Sequence, residues 1–162
     1  AIVRCWINTN FKHDALLYAA VSTASYRSQI DERLVRQLGL DDCIVESASG
    51  VRSLALSVYF AEAIPHPIST RSSSPAPQVP SVTVEFNIVA PTQSDLDSKA
   101  IQIVIGSDVL RSHNADILFS SNSMTLFDDD QCKLSIPLVR PENEGTFNSL
   151  CIRLHSPQSL WR

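Results

Sequence analysis

At 162 residues the chain has the length of one domain, long enough to bury a sizeable core, and its 44% hydrophobic and 19% charged content is ordinary for a soluble globular protein. A net charge of −4 with scattered basic residues argues against direct nucleic-acid binding. No apolar run approaches the roughly 18 residues that span a bilayer, and Arg4 and Lys12 interrupt the early apolar stretch, so neither a membrane span nor a signal peptide is expected.

Residues 2–8 alternate loosely and predict a strand. Asn8-Thr9-Asn10 gives a turn, and residues 11–21 return as a second strand that carries Ser22-Thr23-Ala24-Ser25 at its end. Ser28, paired with Asp31 three positions on, is the expected cap of a helix that buries Ile30, Leu34, Val35 and Leu38 and ends at Gly39. Residues 43–60 predict two strands around a Ser49-Gly50 turn, with Leu54, Leu56, Val58 and Phe60 in strict alternation. Residues 64–81 hold five of the nine prolines and a serine cluster, which makes them a low-order segment: a surface loop, or else an altered flap or a docking or phosphorylation segment.

Val82, Val84, Phe86 and Ile88 define an amphipathic strand, and residues 91–99 a polar loop. The run 101–105 suits a strand buried on both faces. Gly106 is expected to permit a tight turn, Ser107 or Asp108 to cap a short helix through His113, and Asn114 to end it in the left-handed conformation. Residues 115–119 and 123–127 predict a hairpin. Asp128-Asp129-Asp130 predicts a solvated turn, without the further ligands that calcium needs. Another strand is expected at 133–139, a loop at 141–145, and an edge strand through Leu150, Ile152 and Leu154. Cys5, Cys43, Cys132 and Cys151 form no Cys-x-x-Cys pair and have no histidine at ligand spacing. They read as reduced thiols, which points to an intracellular location, cytoplasmic or nuclear. No cofactor or metal is expected.

Two stretches carry a family resemblance. One is Ala20-Val21-Ser22-Thr23-Ala24-Ser25, lying between the apolar Ala15-Leu16-Leu17-Tyr18 and the amphipathic residues 30–40. The other is residues 101–117, an apolar strand followed by Gly106-Ser107-Asp108, an apolar pair and His113-Asn114-Ala115-Asp116-Ile117. In order and spacing they resemble the two signature halves of retropepsins, the retroviral-type aspartic proteases. The resemblance covers about residues 2–60 and 82–139, and its flavour is that of retrotransposon proteases and the eukaryotic DNA-damage-inducible retropepsins. It implies a mainly β fold, a closed acid-protease barrel with two short helices. It also implies a single domain over 1–162, with the Pro/Ser insert at about 64–81 near the family's flap and a C-terminal extension from about 140. Finally, it implies a homodimer within a larger protein, and an origin in a retrotransposon.

The family tripeptide Asp-Thr-Gly is Ser22-Thr23-Ala24 here. Aspartic proteases need two carboxylates sharing a proton, one as base on a water and one as acid on the carbonyl oxygen. Each retropepsin subunit supplies one of them, so a serine here removes both. Its hydroxyl is not anionic near neutral pH. As a nucleophile Ser22 would need an adjacent oriented base, and nothing in the sequence places His13, His66, His113 or His155 beside it. By resemblance, Thr23 braces the loops across the dimer, and Ala24 crowds a close backbone approach where the family has glycine. Asp108 reads as a helix cap and neither it nor Asp116 as a catalyst. The leading expectation is therefore a pseudoprotease: no enzyme, but a homodimerisation and protein–protein interaction module, with residues 22–25 at its interface or cleft and its partner unknown. The alternatives are a non-cleaving binder of extended peptides in the old cleft, and a cryptic aspartic peptidase.

Overall fold

The computed structural model describes residues 1–8, 16–66, 80–90 and 101–140. Alternating apolar side chains set its architecture. In Ile2–Ile7 (β1, from Val3 on), Arg52–Phe60 (β5) and Val82–Val89 (β7) the main-core residues recur at every second position, so each strand has one face toward a common interior. Between and beyond them lie Leu17–Val21 (β2), Gln29–Asp31 (β3), Glu32–Gln37 (α1), Val45–Glu46 (β4) and Ile64–Pro65 (β6). After β7 follow Ile103–Ile105 (β8), Ser107–Ser112 (α2), Asp116–Leu118 (β9), Ser123–Phe127 (β10) and Lys133–Pro137 (β11).

Strands pair in the order β1-β2-β8-β3-β7-β5, and β1 also pairs with β5, so six strands close into a barrel with β4 hanging from β5. Closure pairs each of the six barrel strands on both sides, which leaves β4 as the edge of this sheet. The barrel is mixed: β2–β8 and β3–β7 run parallel and the remaining pairs antiparallel. The second sheet, β6-β11-β10-β9, is antiparallel. Its Met124, Leu126, Leu134 and Ile136 join Val3, Cys5, Leu56, Val84, Phe86 and Ile103 in one core, so the two sheets share a single interior.

β8 holds the central place. Ile103 and Ile105 enter the main core, while half-buried Val104 packs outside against Ile2, Ala20 and Ile101. The strand inserts between β2, parallel to it, and β3, antiparallel. That insertion places the end of β2, where residues 22–25 begin, beside the start of α2.

Several local expectations need correction. The first helix does not start at Ser28. Gln29–Asp31 is a strand, because Ile30, a β-branched residue, is fully buried between β7 and β8. Asp31 is the cap instead, its carboxylate accepting from the Arg33 N–H at 2.8 Å. Gly39, with φ +70°, ends α1 as expected. Neither Ser107 nor Asp108 caps α2, whose cap position is Gly106 with no side-chain bond. Asn114 and Asn122 are left-handed where the chain turns. Nor is the acidic triplet a freely solvated turn. Asp128 is buried and its carboxylate accepts from the Asp130 and Cys132 N–H groups, while Asp129 accepts from the N–H and hydroxyl of Thr83. The loop expected at 91–99, most of the Pro/Ser insert (67–79), residues 9–15 and everything past 140 lie outside the described residues.

Candidate functional site

The loop 22–28 leaves β2 and crosses the junction of β8 and α2. The Ser22 N–H donates to the Ile105 carbonyl at 2.9 Å, extending the β2–β8 pairing by one residue. Farther along, the Ser25 carbonyl accepts from the Ser107 N–H at 2.8 Å and the Tyr26 carbonyl from the Asp108 N–H at 3.1 Å. The first turn of α2 thus gives otherwise unsatisfied amides to this loop, which is how the helix start is completed without a side-chain cap.

A buried latch fixes the far end of the loop. Ser28 is fully buried; its N–H and hydroxyl donate to the Asp108 carboxylate at 3.0 and 2.8 Å, and its hydroxyl oxygen accepts from the Gly106 N–H at 2.9 Å. Asp108 also accepts from the Val109 N–H at 2.8 Å. The carboxylate is therefore committed to holding two segments together. Gly106 is required for a reason other than a turn. Its φ is −95°, open to any residue, but a Cβ there would sit 2.7 Å from the Ser25 carbonyl oxygen and 2.8 Å from the Arg27 carbonyl group. The loop passes so close that only a hydrogen fits.

At the apex, Thr23 and Ala24 are exposed and Ser22 is half-buried. The Ser22 side chain makes no hydrogen bond among the described residues. Ala24 is not left-handed, so alanine sits here without backbone strain. Thr23 and Ser107 border an open groove that continues over Leu110, Arg111 and Asn114. Tyr26, farther along the loop, is exposed, with the Arg27 guanidinium 5.3 Å from its ring centre.

The structure brings residues 22–25 together with Ser28, Gly106 and Asp108. Asp116 is exposed on β9, in the lining of the same groove. Neither described histidine bonds to Ser22: His113 is paired through Nδ1 with the Phe127 carbonyl at 2.7 Å, and His66 is exposed beside β6. His13 and His155 lie outside the described residues. Among the described residues no group of three His, Cys, Asp or Glu converges as a metal site, and no helix is long and apolar enough to cross a membrane. Sequence reasoning missed the latch. The pairing of Ser28 with Asp108 spans 80 positions, and nothing local distinguishes it from two helix caps.

No protein-family model matches the chain, and no curated protein does. Among solved structures it is similar to the retroviral protease-like domain of Ddi1 from Leishmania major. The TM-score is 0.56 and the identity 16%, over 88% of this chain and 92% of that one. The closed mixed barrel, the two short helices and this match define a retropepsin-like fold. At that identity the likeness speaks for the fold alone.

Proposed function

We propose that the chain is a pseudoprotease: a retropepsin-like module without catalysis, which forms a homodimer and serves as a protein–protein interaction scaffold in a larger protein. The observation that carries this reading is the 22–28 loop, where Ser22 offers a hydroxyl near the apex and Asp108, at the far end, is bound into the latch with Ser28. A proton-sharing pair of acids, which aspartic-protease chemistry requires, has no candidate there. The latch nevertheless keeps the loop in a defined shape, and Thr23 remains at its exposed tip. An ordered loop without its acid suits a surface selected for contact.

A second reading is a non-cleaving binder of extended peptides, expected in the old cleft; the β4–β5 hairpin offers such a peptide a different place to pair. It is an edge of the barrel sheet whose Val45 and Val51 are both exposed, a surface that an extended chain can join by backbone pairing.

The test is digestion of a diverse peptide library, followed by mass spectrometry from acid to neutral pH, with the Ser22→Asp/Ala24→Gly double variant alongside. No cleavage by the natural sequence is expected. Cleavage that persists in Ser22→Ala and is blocked by a pepstatin-type inhibitor would overturn the proposal in favour of a cryptic peptidase.

A further inference from the structure

A second concave site lies away from the 22–28 loop and shares no residue with it. It is a cavity of about 360 Å³ between the barrel and the second sheet, within the size range of small-ligand pockets. Arg4 on β1 and Tyr18 on β2, paired neighbours in the barrel, form one wall. Ser135 on β11 forms the opposite wall, and Arg140 stands at the rim. The segments that follow β5 and β11 are tied to β1: the Ala61 N–H donates to the Arg4 carbonyl at 2.9 Å, and the Val139 N–H to the Ile2 carbonyl at 2.8 Å. Two backbone bonds thus fix the strand frame around the cavity.

Its polar groups are unequal. The Arg4 guanidinium donates to the Glu62 carboxylate, so that charge is largely answered. Glu62 reaches this place from a left-handed backbone, φ +61°, a conformation that non-glycine residues adopt at a cost and that collects at functional positions. Arg140 has no ion-pair or hydrogen-bond partner among the described residues, and neither do the side chains of Tyr18 and Ser135. One guanidinium and two hydroxyls thus belong to residues that line a shared space and have no partner for them among the described residues. Two arginines against one glutamate leave a single net positive charge in the lining, which matches a monoanion better than a phosphate dianion. Pro137 and Val139 supply an apolar patch beside these donors.

We propose that this cavity binds a small organic monocarboxylate. Its acid group is held by Arg140 with the Tyr18 and Ser135 hydroxyls, and its short apolar body lies against Pro137 and Val139. The site is independent of the pseudoprotease reading and stands or falls without it.

The test is an amide chemical-shift titration of the whole chain with N-acetyl-leucine, set against N-acetyl-leucinamide, which has the same body without the charge. Saturable shifts at the Ser135, Leu138 and Val139 amides are expected with the acid alone. Arg140→Gln, an exposed change three residues past β11 that leaves the rest of the spectrum in place, should weaken binding roughly tenfold. Equal response to the amide, unchanged affinity in Arg140→Gln, or no saturable shift with the acid would overturn the proposal. Tighter binding of inorganic phosphate than of the acid would overturn the carboxylate assignment.

Discussion

Gly106 and the Ser28–Asp108 pair show how much of the loop geometry rests on single atoms. Adding one methyl at Gly106 drives it into backbone, which cannot rotate away as a side chain would. Gly106→Ala should therefore cost about 1–3 kcal/mol by overpacking, read as a lowered urea midpoint at unchanged slope. Asp108→Ala leaves the Ser28 N–H and hydroxyl without their acceptor in a buried position, a loss of about 1–3 kcal/mol in the same measurement. The cysteines make a separate prediction. Burial pushes the Cys5 thiol up to about 12, and burial followed by Asp128 and Asp130 raises Cys132, whereas Cys43 is exposed. In a Cys151→Ser background, a thiol reagent at mildly alkaline pH should label Cys43 first and Cys132 slowly, and Cys5 only on unfolding. Early labelling of Cys5 would contradict the packing of β1.

At the scale of elements, strands with one buried face were legible in the sequence because their period is two. β5 and β7 fall where alternation puts them. What local pattern cannot show is pairing at a distance. Ile30 has the spacing of a helix face, yet it is a strand residue because β7 and β8 offer it partners from far along the chain. The same limit hid the latch, and it turned the acidic triplet from a presumed solvated turn into a strap that holds β7 through Thr83. Residues 22–25 were singled out by resemblance and position; the groups that fix them in the fold were not legible. Helix α1 is fastened to β5 by Glu32, which accepts from Arg52 at 2.8 Å and from Arg36 at 3.0 Å. The Arg52 hydrogen bond, ahead of the other causes, holds the Glu32 carboxyl below its ordinary value. A carboxyl lowered in the folded state stabilises fully above its unfolded pKa, about 4.3, and that contribution fades as pH falls through the lowered folded value. Urea midpoints followed from neutral pH into acid should fall less steeply for Glu32→Gln than for the natural sequence. Parallel acid limbs would deny the link.

Across the whole molecule, one core joins barrel and second sheet, so damage in either should be felt as a single unfolding event. Phe86, fully buried on β7, is the largest of the side chains sealed in that core. Phe86→Ala should cost about 3–5 kcal/mol and lower barrel and second-sheet probes together. The retropepsin-like fold was open to sequence reading through the order of its two halves. The proposed pseudoprotease reading turns on Ser22 and Ala24, and its expectation of self-association on the braced loop and the exposed Thr23. The direct measurement is absolute mass by multi-angle light scattering over a hundredfold dilution series. The pseudoprotease account predicts a mass twice that of the chain, persisting on dilution. A monomer at every concentration would contradict it and remove every mechanism built on a composite surface at residues 22–25.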